Sequence, residues 1–381
     1  MKLSRSLKVV AIATTAALFA ATPALAGGVT ITGAGSTFAA PLIGACKTAW
    51  QNSTGNTVTY GGGGSGTGRS NADKGVGDFN FSDATYTPAK TSIIHIPVVA
   101  APVAIAYNLN STKTLYLSPS TLSDIFSGKI TMWNDPAIAA DNNGTSTQVV
   151  FKKDAKGAVV KDAKGAPVVL KTVSVKRYFT LPNQKIKVIY RADGSGTTQN
   201  LVNMFIKKFP STWTKPSSST FSSVFPGNIN DVANLGRLQS ASGSAGVAAL
   251  AAKTKYSITY VESSFANAQK LGLAAIKNAA GSYALPDAGG TAAFLNAGTV
   301  AADGKMTFNY ETTDPAAYIL GIVSYGLVDT AATGANAAAV KSFFSALLDS
   351  KCANTDPSLQ YSTITGNLLA ADQALIAKIK G

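Results

Sequence analysis

The sequence predicts an α/β protein with mainly parallel strand pairing. Strand-like runs alternate with stretches of helical periodicity along most of the 381 residues. Twice, at 29–50 and at 186–209, a β-rich run passes through a glycine turn bearing hydroxyls and enters an amphipathic helix. With 46% apolar and 14% charged residues the chain is globular, long enough for one large or two ordinary domains.

The N-terminus reads as a secretory leader. Lys2, Arg5 and Lys8 form a basic start, 9–21 is a short apolar stretch, and Ala24-Leu25-Ala26 is an A-x-A-type cleavage site. The leader is therefore 1–26, with the mature chain starting at Gly27. The apolar stretch is too short to span a membrane, and no later one is long enough. No cysteine follows the cleavage site, so no lipid anchor is expected. A soluble, exported, periplasmic protein is predicted. The formal charge of +14, less the three leader cations, leaves +11. The lysines are scattered and no aromatic residues interleave with them, so nucleic acid is not expected as a partner.

In order, a strand at 29–32 meets the turn Gly33-Ala34-Gly35-Ser36-Thr37-Phe38, where Ser36 or Thr37 could cap the next helix. Pro41 suits that helix's first turn, and Leu42, Ile43, Cys46 and Trp50 mark its buried face. A strand at 57–60 runs into the glycine-rich stretch 61–68. That stretch satisfies a dinucleotide pattern only because any glycine run does, and no Walker lysine follows. It is read as flexible backbone able to bring N–H groups close to an anion. Asp78 to Phe81 is strand-like and ends at Ser82-Asp83, where Asp83 reads either as a turn former or as a ligand group.

The segment 95–107 is apolar and extended. Ser118-Pro119 starts a helix with Leu122, Ile125 and Phe126 behind it, and Trp133 to Pro136 closes that unit. Asp154-Ala155-Lys156-Gly157-Ala158 recurs as Asp162-Ala163-Lys164-Gly165-Ala166, which marks 152–171 as an exposed basic hairpin or loop. A strand at 186–190 leads into Arg191-Ala192-Asp193-Gly194-Ser195-Gly196-Thr197, and a helix at 198–209 leads out. A guanidinium, two hydroxyls and N–H groups at a helix N-terminus suit a small oxyanion. Further on, 210–228 is loop, 245–253 helix, 256–261 strand, 264–271 helix with Ser263 or Ser264 as cap, and 279–309 mixed with loop character. A buried strand or strand pair at 317–327 precedes helices marked by Val340, Phe343, Phe344 and Leu347 and by Leu375, Ile376 and Ile379.

Cys46 and Cys352, the two cysteines, form either one disulfide, as export permits, or two small buried apolar residues; the disulfide is favoured. The single histidine, His95, lies in a strand-like run and reads as structural. Neither Ser65 nor Ser195 has a partner base or a nucleophile elbow, and no acid cluster has metal-ligand spacing. No enzyme, cofactor or metal site is predicted.

Four stretches together, 33–38, 60–65, 78–83 and 191–197, resemble the periplasmic phosphate-binding proteins of bacterial phosphate ABC transporters, the PstS family. Leu122 to Ile130 with Trp133, and Ile258 to Glu262, extend the likeness. The resemblance implies a two-lobed substrate-binding fold of type II with the ligand between lobes. The first lobe would be 27–100 plus 314–381, and the second 101–313 with the basic insertion near 152–171. It implies phosphate contacts at Thr37, Phe38, Ser65, Asp83, Arg191, Ser195, Gly196 and Thr197, with Asp193 fixing the arginine. It places both cysteines in the first lobe, which strengthens the disulfide reading. Ala39, Asn80-Phe81, the long glycine run and the insertion depart from the family pattern. The implied function is high-affinity capture of inorganic phosphate by a monomer and its delivery to an ABC permease. The alternative is a secreted oxyanion scavenger, sensor or adhesin without a permease.

Overall fold

The computed structural model describes residues 28–155, 159–163, 167–349, 352, 359–362, 364 and 366–381. The predicted leader and parts of the duplicated motif lie outside them. The first elements are β1 (Thr30–Gly35), α1 (Ala40–Thr54), β2 (Thr57–Gly63), α2 (Ser65–Lys74), β3 (Phe79–Ser82) and β4 (Ile93–Tyr107). There follow β5 (Tyr116–Leu117), α3 (Pro119–Ser127), α4 (Pro136–Asp141), β6 (Asn143–Phe151), β7 (Val169–Tyr178), β8 (Lys187–Arg191), α5 (Gly196–Lys208) and α6 (Phe221–Val224). Next come β9 (Leu238–Ala241), α7 (Gly243–Lys253), β10 (Ser257–Glu262), α8 (Ser263–Ala268), β11 (Gly272–Leu273), β12 (Ala275–Lys277), β13 (Tyr283–Ala284) and α9 (Ala288–Asn296). The last are β14 (Thr299–Val300), β15 (Met306–Thr307), β16 (Gly321–Asp329), α10 (Ala335–Leu347) and α11 (Gly366–Ala377).

One nine-stranded sheet runs β2-β1-β3-β16-β4-β10-β8-β9, with β11 beside β4. Strand β4 is common to both ends. Its residues Ile93 to Pro102 pair with β16, and Val103 to Tyr107 pair with β10. Pro102 sits where the partner changes, at a position where a missing N–H disturbs the ladder least. The sheet thus divides into two halves that share one long strand.

Within this sheet the described pairing is parallel only inside each half, β2-β1-β3 on one side and β10-β8-β9 on the other. The central strands β16 and β4 run antiparallel to each other and to the adjacent strands β3 and β10. The expectation of mainly parallel pairing is corrected to a mixed sheet. Alternating elements identify the local βα units, but not the direction of strands returning from distant parts of the chain.

The stretch 61–68 is not a flexible loop. Gly61 to Gly63 extend β2, and Ser65 opens α2. That helix lacks an apolar stripe and is held by burying Ser65, Gly68 and Ala72. A Cβ on Gly68 would lie 2.1 Å from the Phe81 carbonyl oxygen, so glycine lets α2 cross β3. Helix α4 begins at Pro136, capped by Asp135, and α9 arises inside 279–309, capped by Asp287. The residues preceding the helices are Ala39 and Glu262, neither with a side-chain cap bond, rather than the predicted Ser36 or Thr37 and Ser263 or Ser264. Ser36 Oγ nevertheless accepts from the Ala39 N–H at 3.0 Å and so caps the turn that leads into α1. Helix α5 starts at Gly196, two residues before the predicted 198. The 317–327 segment yields one strand, β16, and the described residues of the insertion lie at one end of an antiparallel ribbon, β6–β7, with isolated bridges Lys153–Val159 and Lys161–Pro167.

Tyr60, Phe79, Phe81, Phe343 and Phe344 pack ring to ring in one half. Phe126, Phe205, Trp213, Phe221 and Tyr260 do so in the other. Cys46 of α1 is joined to Cys352, with Cα atoms 5.1 Å apart across 306 residues of sequence. The bridge shortens a very long loop of the unfolded chain. Replacing both cysteines by serine is expected to cost about 3 kcal/mol, read from urea midpoints. Thiol titration of denatured, unreduced protein should find no free cysteine; two free thiols would refute the bridge.

Candidate functional site

Asp83 stands just beyond the end of β3. Gly35, at φ +126°, ends the neighbouring β1, and a Cβ there would lie 2.2 Å from the Phe81 carbonyl oxygen. Glycine therefore allows the chain to turn tightly over β3, with Ser36 N–H donating to that carbonyl at 3.0 Å. The turn brings the Ser36 hydroxyl to Asp83 Oδ1, to which it donates. Ser324, from β16 on the other side, donates to the same oxygen at 2.7 Å. Ser65, first residue of α2, donates to Oδ2 at 3.1 Å and accepts from the Asp83 N–H at 3.0 Å. Asp83 is 3% exposed. Burial pushes its carboxyl up; the hydroxyls of Ser36 and Ser324, the charge of Arg191 and the Ser65 hydroxyl pull the other way.

Arg191 ends β8 in the other half of the sheet and is equally buried. Its Nε and Nη2 donate to the two oxygens of Asp193 at 2.7 and 2.5 Å, a bidentate pair that fixes the guanidinium plane. Nη1 donates to Ser244 Oγ at 3.3 Å. Burial opposes both charges, yet their mutual hydrogen bonds and attraction prevail. Arg191 is raised, and Asp193, which also accepts from the Gly243 N–H at 2.9 Å, is held below the usual carboxylate range.

The N-terminus of α5 completes the site. Ser195 caps it, accepting from the Thr198 N–H at 3.1 Å. Thr197 donates to Glu262 Oε1 at 3.4 Å, and Thr198 Oγ1 lies 2.6 Å from the Tyr260 hydroxyl. A Cβ on Gly196 would sit 2.5 Å from Ser65 Oγ and 2.8 Å from Asp83 Cβ. Only glycine lets this helix end approach the acid so closely. Gly64 has the same relation to Asp193, at 2.2 Å, and the Gly66 N–H donates to the Gly194 carbonyl at 2.7 Å. Thr37 Oγ1 lies 2.9 Å from Ser244 Oγ and accepts from the Ser244 N–H at 3.3 Å. Asn200 donates to the Asp83 carbonyl at 2.6 Å, and Arg69 to Gln199 at 2.7 Å. The two halves therefore meet around one small buried region.

Thr37, Ser65, Asp83, Arg191, Asp193, Ser195, Gly196 and Thr197 all converge there. Phe38 lies in the same turn as Thr37, fully buried, its carbonyl accepting from the Tyr361 hydroxyl at 2.7 Å. Sequence reasoning did not assign Ser36, Ser244, Ser324, Asn200 or Glu262 to the site. Ser36 was legible as a turn residue beside Thr37. Glu262 stood at the end of the strand-like run from Ile258. Ser324 offered only the weak signal of a hydroxyl inside an apolar strand. His95 lies elsewhere, between the rings of Tyr86 and Tyr325 at 5.4 and 5.8 Å. Burial pushes it down to about 4, so it is neutral near pH 7. Among the described residues no helix is long and apolar enough to cross a membrane.

Two sheet halves sharing one strand, with buried polar side chains where they meet, define a two-lobed α/β architecture. A family model described as a PBP superfamily domain matches residues 20–350, and the chain belongs to that superfamily. It is 31% identical over 264 residues to the phosphate-binding protein PstS of Pasteurella multocida, covering 68% of this chain and 64% of that one. It is 32% identical over 240 residues to phosphate-binding protein PstS 3 of Mycobacterium tuberculosis, covering 61% of this chain. The match spans about half, 52%, of that relative's length. The crystal structure of a phosphate-binding protein from Stenotrophomonas maltophilia superposes with a TM-score of 0.60 at 16% identity, over 91% of this chain and 93% of that one. At that identity the likeness concerns the fold.

Proposed function

We propose that this protein captures inorganic phosphate in the periplasm and hands it to an ABC permease, with no catalytic step of its own. The leader at 1–26 supplies export, and the working form is a monomer that meets the permease transiently. The lobes are 27–100 with 314–381, and 101–313, articulated where β4 exchanges β16 for β10. Closure of the lobes buries the ion and forms the surface a permease reads.

The observation that carries this reading is the company Asp83 keeps. A buried carboxylate shares a cleft with a buried guanidinium and a helix N-terminus. Removing an oxyanion from water requires donors to every oxygen. Hydroxyls of Thr37, Ser65 and Ser195, N–H groups of Phe38, Ser65, Gly196 and Thr197, and the Arg191 guanidinium supply them. The N-terminus of α5 adds favourable partial charge. Asp83 repels any anion that cannot donate a hydrogen bond. Protonated phosphate can donate one; sulfate at neutral pH cannot.

Isothermal titration of purified, ligand-stripped protein tests this. Phosphate should bind and sulfate should not compete at equal concentration. Absence of phosphate heat sinks the reading, and turnover of a chromogenic phosphoester sinks the non-enzymatic part. Asp83→Asn should narrow phosphate-over-sulfate discrimination by roughly ten- to a hundredfold, the scale of one hydrogen bond to a charged group. Unchanged discrimination in competition calorimetry would remove Asp83 from that role.

A further inference from the structure

Glu262 is the second buried acid of the cleft. It ends β10, is 1% exposed, and its Oε2 has no hydrogen-bond partner among the described residues. Its Oε1 accepts from the Thr197 hydroxyl at 3.4 Å. An ionised carboxylate only accepts, so that bond holds the single Thr197 hydrogen toward Glu262 and leaves oxygen lone pairs for an incoming anion. The phosphate reading assigns Thr197 its backbone N–H; with this polarity its hydroxyl hydrogen is not available to the anion as a further donor.

We propose that Glu262 takes up a proton when the anion binds, and that the protonated acid donates to Thr197 Oγ1, releasing the threonine hydrogen to the ligand. The inference rests on the phosphate reading and deepens it. The proton comes from solvent and stays on Glu262 while the anion is held; no covalent bond changes.

The surrounding charges favour this. Arg191 faces Glu262 from β8, Ser244 from α7, Asp83 from the end of β3, and Tyr361 from the C-terminal segment. Arg191 is already engaged by Asp193. Arg69, whose charge also acts on Asp83, bonds Gln199. A further anion therefore enters a region with three carboxyl groups, Asp83, Asp193 and Glu262. Burial raises Glu262 to about 6, Arg191 and Ser244 pulling it down and Asp83 adding to the rise. Near pH 7 the acid is mostly ionised before binding, and a neighbouring anion makes its ionised form costlier still.

Phosphate titration calorimetry on the full chain, in buffers of different ionisation heat, measures proton uptake. Comparison with Glu262→Gln cancels the protons carried by phosphate itself. Wild type should take up close to one proton more than E262Q near pH 7.5. Its affinity relative to E262Q should fall as pH rises from 5 to 8, by up to about tenfold per unit above the free-state titration. Glutamine keeps an N–H for Thr197 and should hold a pH-independent share of the affinity. Equal proton counts with parallel pH profiles would overturn this inference alone, whereas a wild type that binds no phosphate overturns it together with the proposed function. Should E262Q fail to fold, carbon-detected NMR titration of the wild-type Glu262 carboxyl decides: an upward shift with phosphate supports the inference, and no shift refutes it.

Discussion

Arg191→Ala is expected to weaken phosphate binding about a thousandfold or more. Arg191 is the buried cation that contacts both Asp193 and Ser244, and Ser244 in turn meets Thr37 of the opposite half. Truncating it leaves the Asp193, Asp83 and Glu262 carboxyl groups around the place a new anion must enter. Breaking a buried, hydrogen-bonded charge pair costs about 2–5 kcal/mol, and about 4 kcal/mol corresponds to nearly three decades in Kd. Arg191→Lys should recover part of the loss, because a point charge cannot engage Asp193 through two parallel bonds. The double variant Arg191→Ala with Asp193→Asn relieves the uncompensated acid. It should regain thermal stability without regaining affinity, which separates binding from folding. Calorimetry with phosphate, beside melting curves, reads both. An Arg191→Ala protein within tenfold of wild-type affinity would show that the guanidinium is not the anion's main partner.

Asp372→Asn is expected to make stability far less sensitive to pH. Asp372 lies on α11, fully buried, and neither carboxyl oxygen has a hydrogen-bond partner among the described residues. Burial pushes it up to about 9. In the unfolded chain the same group ionises near 3.9. Between those values the folded protein holds one more proton than the unfolded chain. Its contribution to stability is thus complete below about pH 4 and is lost as pH rises to about 9. Three pH units, from 5 to 8, amount to about 4 kcal/mol at 1.36 kcal/mol per unit. The asparagine does not titrate, so Asp372→Asn should gain on wild type by up to that amount over this interval, whatever the buried amide itself costs. Urea midpoints at pH 5 and pH 8 provide the measurement. Parallel pH dependence in the two proteins would mean that Asp372 is solvated or paired.

Much of this architecture was legible in the chain. The strand–glycine turn–helix units at 29–50 and 186–209 are local, and glycine, hydroxyl and apolar spacing are local signals. The helix from Pro119 was equally readable, because Ser118 caps it and its apolar face is regular. Helices α2 and α9 were missed for the converse reason. Ser65-Gly66-Thr67-Gly68 and Ala288-Gly289-Gly290-Thr291 are poor helix formers, and packing overrides their propensity.

The predicted anion-site residues were identified by type and order along four separate stretches. Sequence alone determined that a guanidinium, an acid, several hydroxyls and two glycine-rich turns exist in an α/β chain. Tertiary structure decided that they meet. Strand β4 changes partners midway, which puts the β3 half and the β8 half in one sheet, and the residues just beyond β3 and at the end of β8 meet through the contacts of Asp83, Ser65, Gly196 and Asn200. Gly64, Gly68 and Gly196 leave room for close approaches that a Cβ would obstruct. Ser324 and Glu262 join the site only because β16 and β10 flank that shared strand. Such encounters depend on strand order and on side chains hundreds of residues apart. Local periodicity carries no record of them, since the energy that selects them comes from burial and long-range hydrogen bonds.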